Sequence, residues 1–360
     1  MARSLSRGSP VDRPAPVALT ASPVPPTVLI VDDSVVARAA IAQAIEGSGR
    51  FCVAGAVHNA QSALTFLTRN RVDVILLDIE MPGVDGLTAL PDLIAAGQGA
   101  RVLVVSSSCA QGAASTVQAL ALGAADTLVK PDIGSLAQRF AATLEEKLAR
   151  LVEPVEETPI PPTASPHDDF DIVAIGASTG GIHALSQLLR AIPADFRLPI
   201  LITQHLPDSF MPYFAAQVAV LAGRPCDVAE NRAPVRPGRV MIAPGDAHLR
   251  LARSGSKVTV RLSREQVPSG CRPSVDPMFE AVAEIYGSRA LGVVLSGMGR
   301  DGMLGAAVLA ERGGSLVVQD RESSVIWGMP GAVAGAGLAN AILPPDEIGA
   351  LVARRQRPSC

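Results

Sequence analysis

Ser178 sits in VAIGASTGG, residues 173–181, where an apolar run stops and glycine stands two places before and two places after the hydroxyl. Two chemistries suit that pattern: a nucleophilic serine, or a glycine-rich turn that cradles phosphate. G-x-S-x-G favours a sharp strand-to-helix turn that exposes the serine, because small neighbours let the backbone bend tightly. The next amide, on Thr179, then lies at a helix N-terminus, where it can stabilise an oxyanion. A dinucleotide-type phosphate turn asks for G-x-G-x-x-G and an acid about 20 positions on. Ser178 occupies the place of the second glycine, and the next apolar run ends in TQHLP, without an acid.

A serine hydroxyl needs a base, and the base needs an orienting acid. The chain has five histidines. His58 and His167 lie outside this half of the chain, His183 is expected on the helix after Ser178 and facing away, and His248 follows the turn-like APGDA. His205 closes the run LPILITQ and so reaches the sheet edge where Ser178 stands. For the acid, LGVVLSGMGRDGM offers Asp301 in a glycine-rich loop that can fold back over that edge. The order Ser178, His205, Asp301 differs from that of the usual α/β-hydrolases, but such triads are defined by geometry and not by order.

A second constellation lies earlier. Asp32 and Asp33 follow one apolar run, Asp78 ends another, Ser106 ends a third, and Lys130 ends a fourth. Parallel strands deliver their carboxyl ends to one edge, where ligands bind. Three carboxylates crowded there repel one another, and Mg²⁺ relieves the conflict while leaving room for phosphate oxygens. The Ser106 hydroxyl and the Lys130 ammonium could then bind a phosphoryl group on Asp78. Taken singly, Asp33 or Ser34 could simply cap the helix that follows. Lys130–Pro131 is a candidate for a cis bond in a tight turn.

These residues require two sheets. The 360 residues are 48% hydrophobic, 18% charged and 3% aromatic, so Ala, Val, Ile and Leu must fill about two domains. The net charge of −3, with no basic–aromatic patch, gives no footing for nucleic acid. No apolar run approaches the ~20 residues of a membrane span. Five cysteines without a Cys-x-x-Cys pair fit reduced thiols and a cytoplasmic location. Residues 1–26 read as a disordered Pro-rich leader and not as a signal peptide. From 27 to 151, the runs VLIV, FCVAGAV, VDVILLD, RVLVVS and DTLVK alternate with helical patterns, which predicts a flavodoxin-like (βα)5 unit. Residues 152–168 are rich in proline and acids and read as a linker. Residues 169–352 predict a doubly wound parallel-sheet α/β domain from DIVAIGA, LPILITQ, RVMIAP, KVTVRL, LGVVLSG and SLVVQD, with 353–360 as a tail.

The motifs VLIVDDSVVAR, ILLDIEMPGVDGL, VVSSS and LVKP resemble a response-regulator receiver domain. The resemblance implies that Asp78 is phosphorylated by a chemotaxis histidine kinase. It implies Mg²⁺ held by Asp33 and Asp78, with Asp32 acting through water and the Glu80 carbonyl contributing. Ser106 would be the switch hydroxyl and Lys130 the phosphate-binding lysine. The later motifs IGASTGG, ITQHLP, MIAPGDAHL, RPSVDPMF, LSGMGRDGM and WGMP resemble the catalytic domain of the CheB family of protein-glutamate methylesterases and glutaminases. That likeness implies Ser178 as nucleophile, His205 as base and Asp301 as acid. The Met298 backbone would be an oxyanion contact, assisted by Thr179. The implied substrates are glutamate methyl esters and some glutamines on the cytoplasmic helices of methyl-accepting chemoreceptors. The likeness further implies activation by phosphorylation, no cofactor in the catalytic domain and no membrane insertion. Two positions depart from the pattern: Cys271 stands where His is common, and Ser296 where Thr is more familiar. A phosphorylation-dependent binding protein with an idle esterase site is the rival reading, and a nucleotide-binding oxidoreductase rests only on the glycine turn.

Overall fold

The computed structural model describes residues 25–106, 110–130, 137–152 and 169–354. In the first half, strands β1 (Thr27–Val31), β2 (Cys52–Val57), β3 (Val74–Asp78), β4 (Arg101–Ser106) and β5 (Asp126–Val129) alternate with helices. The helices are α1 (Val35–Gly47), α2 (Ala60–Leu67), α3 (Gly86–Ala96), α4 (Ala110–Leu122) and α5 (Ala137–Val152). The strands form one parallel sheet in the order β2-β1-β3-β4-β5. Helices cover both faces, so the middle strand β3 is buried along its whole length and reads as an unbroken apolar run. Helix starts are set by side-chain caps: Ser34 accepts from Ala37 N–H, Asn59 from Ser62 N–H and Asp85 from Thr88 N–H. The cap on α1 is therefore Ser34, which leaves Asp33 free for other work.

The second half holds a seven-stranded parallel sheet. Its strands are β6 (Ile172–Ala177), β7 (Ile200–Gln204), β8 (Cys226–Val228), β9 (Val240–Ile242), β12 (Ala290–Val294), β13 (Ser315–Gln319) and β14 (Ala341–Leu343). Their order is β14-β13-β12-β6-β7-β9-β8. The helices are α6 (Gly181–Arg190), α7 (Met211–Ala222), α8 (Val275–Tyr286), α9 (Met303–Glu311), α10 (Met329–Gly335) and α11 (Pro345–Arg354). The chain leaves β6 toward β7 on one side and returns to β12 on the other. The crevice at the carboxyl ends of β12, β6 and β7 is thus a topological switch point, where open α/β sheets bind ligands.

One expected strand belongs elsewhere. KVTVRL forms β11 (Lys257–Ser263), which pairs antiparallel with β10 (His248–Ser254) in a separate hairpin. Its alternating polar residues leave one face half-exposed, which suits a hairpin and not a buried central strand. The three-residue strands β8 and β14 carry too short a pattern to read from sequence. Val152, expected in the linker, closes α5, and Arg354, expected in the tail, ends α11. The rest of the leader, linker and tail, apart from residues 25–26, lies outside the described residues, as does the Lys130–Pro131 bond. No helix among the described residues is long and apolar enough to cross a membrane.

The two sheets share packing. Leu120, Ala121 and Ala124 of the first unit lie in one buried apolar cluster with Ile182, Leu185 and Leu189 of the second.

Candidate functional site

Ser178 leaves β6 on a turn that three neighbouring elements hold. Its N–H donates to the Ser296 carbonyl beyond β12 at 3.0 Å. Its carbonyl accepts from Gln204 Nε2 at 3.0 Å and from Gly181 N–H at 2.8 Å. Gly180 caps α6 in the left-handed region at φ 75°, where a β-carbon would also come within 2.4 Å of Val325. The Ser296 hydroxyl donates to the Thr179 carbonyl at 2.8 Å, so this departure from the more familiar Thr keeps the oxygen that ties the turn.

His205 follows β7 directly, and its N–H donates to the Ala177 carbonyl at 3.1 Å. That bond brings its ring to Ser178: Nδ1 lies 3.1 Å from Ser178 Oγ, and Nε2 lies 2.8 Å from Asp301 Oδ2. Asp301, 2% exposed, comes from the loop after β12. Its Oδ2 also accepts from Val275 N–H at 2.8 Å, and its Oδ1 accepts from the Ser274 hydroxyl at 2.6 Å. Burial alone would raise the Asp301 carboxyl, but His205, Ser274 and the Val275 amide outweigh it and hold the group well below the usual carboxylate range. An ionised Asp301 only accepts, so in the neutral ring Nε2 carries the proton and the Nδ1 lone pair faces Ser178. For His205, burial favours the neutral ring, yet the neighbouring Asp301 and Cys271 raise it to about 9.

Sequence reasoning brought Ser178, His205 and Asp301 to one edge, and there they meet. It assigned no role to Ser274, although RPSVDPMF contains it, because nothing in its spacing marks a serine that reaches a carboxylate 27 residues away. His248 also has a supporting place. Its Nδ1 accepts from Ser274 N–H at 3.0 Å while its Nε2 donates to the Glu265 carbonyl at 2.9 Å. As expected, His248 follows a turn, at Gly245–Asp246, and from there it opens β10 and is buried. Asp276 is buried behind Asp301, and burial together with that neighbouring charge pushes its carboxyl up. Among the described residues, none accepts a hydrogen bond from the N–H of Thr179 or Met298. Gly297, just before Met298, is packed so closely that a β-carbon would lie 2.8 Å from Ser178 Cβ.

The site faces the first unit. Gly180 N–H donates to the Ala125 carbonyl at 2.9 Å, and His183 Nδ1 lies 3.1 Å from the Ala121 carbonyl. His183 thus faces away from Ser178, as expected. Ala125, Asp126 and Thr127 meet Ser178, Thr179 and His205 across a cleft of about 40 Å³. A roomier cavity of about 260 Å³, lined by Pro199, Asp227 and Arg239, lies at the opposite edge of the sheet.

In the first unit the expected residues also converge. Oxygens of Asp32, Asp33 and Asp78 lie within 4.8 Å of one another. Lys130 Nζ is 2.6 Å from Asp78 Oδ2 and 3.1 Å from Asp32 Oδ2. The Asp32 Oδ2 atom is buried and, among the described residues, accepts no well-directed hydrogen bond, although Lys130 Nζ lies 3.1 Å away. Burial raises the Asp78 carboxyl despite Lys130, and the Asp32 charge adds to the rise. Crowded oxygens, an orphaned lone pair and a destabilised carboxylate fit a hard divalent cation. Glu80 N–H donates to Asp78 Oδ1 at 3.0 Å, placing the Glu80 backbone beside the cluster. The Ser106 and Thr116 hydroxyls are 2.9 Å apart, which links the end of β4 to α4.

Comparison with known proteins follows this division. The family model described as CheB methylesterase matches residues 173–352, and the one described as response regulator receiver domain matches residues 28–141. A protein-glutamate methylesterase/protein-glutamine glutaminase of Caulobacter vibrioides is 43% identical, covering 92% of this chain and 99% of its own. One of Paramagnetospirillum magneticum is 38% identical, covering 91% and 96%. The crystal structure of the Thermotoga maritima CheB methylesterase catalytic domain is 37% identical, with a TM-score of 0.50, covering 51% of this chain and 98% of that one.

Proposed function

The chain belongs to the CheB methylesterase family and carries a response-regulator receiver domain in front, and on that premise we propose that it is a phosphorylation-activated protein-glutamate methylesterase and glutaminase working through Ser178, His205 and Asp301. The observation that carries this reading is the hydrogen-bonded chain from hydroxyl to imidazole to carboxylate, at 3.1 Å and 2.8 Å.

The substrate is a glutamate γ-methyl ester, or a glutamine, on a cytoplasmic helix of a chemoreceptor. Ser178 Oγ attacks the side-chain carbonyl while its proton passes to His205 Nδ1. Asp301 holds the ring by Nε2–H and stabilises the imidazolium that forms. The oxyanion accepts from the free N–H groups of Thr179 and Met298. Nδ1–H then protonates the leaving methoxide, and methanol departs. Water, deprotonated by the same nitrogen, attacks the acyl-enzyme and releases glutamate. For glutamine, ammonia leaves in place of methanol.

In the receiver, Asp33, Asp78 and the Glu80 carbonyl would hold Mg²⁺, with Asp32 acting through water. Bound there, the cation supplies charge neutralisation for phosphoryl transfer to Asp78 from a histidine kinase. Lys130 then moves its hydrogen bond from Asp78 to the new phosphoryl oxygens, and Ser106 leaves Thr116 to reach them. Since Thr116 belongs to α4, and Ala121 and Ala125 hold the turn of Ser178 and α6, this exchange loosens the receiver from the cleft. The receptor helix gains access.

The test is a fluorophosphonate probe followed by peptide mass mapping. The reading requires the adduct on Ser178 and its loss in His205→Ala. An adduct elsewhere, or undiminished labelling of His205→Ala, refutes it.

A further inference from the structure

We propose that His205, Cys271 and Asp301 form a binding site for Zn²⁺, and that its occupancy shuts off hydrolysis at Ser178. Each residue offers one donor, an imidazole nitrogen, a thiol sulfur and a carboxylate oxygen, and these atoms all lie within 4.8 Å of one another. Zn–N, Zn–O and Zn–S bonds of about 2.0–2.3 Å in a tetrahedron put ligand atoms roughly 3.5 Å apart, so small side-chain shifts close the site. A mixed N, S and O set selects a borderline-soft ion, whereas Mg²⁺ and Ca²⁺ take oxygens. Cys271 is a free thiol and only half-buried, so solvent reaches the site. Asp301 is already oriented by Ser274 and Val275 N–H, the kind of outer hydrogen bonding that fixes a metal ligand.

Inhibition follows from the electron count of the ring and holds whichever nitrogen binds. A neutral imidazole has one lone pair. Once that pair is donated to the metal, the other nitrogen bears the proton. Bound through Nδ1, the ion takes the pair that would accept the Ser178 proton. Bound through Nε2, it leaves Nδ1 as N–H, which cannot accept. The Cys271 thiol proton passes to solvent on binding, as does the extra proton of any imidazolium, so affinity rises with pH. The inhibition rests on His205 being the base for Ser178, whereas the binding does not.

The experiment uses the full chain, with Co²⁺ as spectroscopic probe and Zn²⁺ as inhibitor of ester hydrolysis. Wild-type protein should show a thiolate-to-cobalt charge-transfer band and lose activity with Zn²⁺, reversibly with a chelator. Cys271→Ala should lack the band and need at least ~10-fold more Zn²⁺ for the same fractional loss from its own metal-free rate. Cys271→His should regain Zn²⁺ sensitivity without the band. The receiver's carboxylate cluster supplies only oxygen ligands and cannot produce a thiolate band. Absence of the band in wild type, its persistence in Cys271→Ala, or equal Zn²⁺ sensitivity of wild type and Cys271→Ala overturns the proposal. Metal-free His205→Ala hydrolysing at the wild-type rate would instead remove His205 as base, so the two failures are told apart.

Discussion

At the scale of single residues, the proposed base His205 has its ring raised to about 9 by Asp301 and Cys271. The neutral ring is the reactive form, so about one molecule in a hundred is competent at pH 7. The kcat/KM for ester hydrolysis should therefore climb roughly tenfold per pH unit and level off near pH 9. A profile flat from pH 6 to 9 would exclude His205 as the titrating base. Cys271→Ala removes one of the groups that raise the ring, so its limb should move to lower pH. Ser274→Ala removes the 2.6 Å bond to the buried Asp301 Oδ1. Such a charged bond is worth about 1.5–3 kcal/mol, which predicts a kcat about 10- to 100-fold lower with KM little changed. Ser178, His205 and Asp301 were legible in sequence because each follows its own apolar run and the chemistry names its type. Ser274 and Cys271 were not, because their roles depend on distances that only the folded loop before α8 creates.

Among the elements, the turn from β6 to α6 is the part on which the site depends most. Gly180 needs both a positive φ and space, since a β-carbon there meets Val325 at 2.4 Å. Gly299, in the loop that brings Asp301 back, has φ 78° but open surroundings. Gly180→Ala should thus cost clearly more than the ~1–2 kcal/mol of left-handed strain, and Gly299→Ala about that much alone. Paired denaturant melts check the ranking, and equal losses would refute the packing argument. The parallel strands could be read from sequence because burial on both faces makes them continuous apolar runs, as in β3 and β6. The β10–β11 hairpin could not, because KVTVRL is compatible with either a sheet edge or a hairpin, and its pairing with His248–Ser254 is a tertiary choice.

For the whole molecule, the informative contact is the one from Ala125 O to Gly180 N–H, which ties β5 of the receiver to the serine turn. Under the proposed function it would couple a phosphate sensor to a hydrolase, because the α4–β5 region, linked to Ser106 through Thr116, lines the cleft beside His205. Both sheets were foreseen in the sequence, but the docking face was not, since Leu120, Ala121 and Ala124 look like ordinary core alanines and leucines until the second domain covers them. Removing Mg²⁺ with a chelator should abolish stimulation by a phosphodonor while leaving the basal rate unchanged. The most direct test is methanol release from methylated chemoreceptor fragments, measured with and without a phosphodonor. The account predicts release by wild type that rises with the phosphodonor, a basal but unresponsive rate in Asp78→Asn, and loss of at least ~100-fold in Ser178→Ala. Methanol release by Ser178→Ala at the wild-type rate would contradict it.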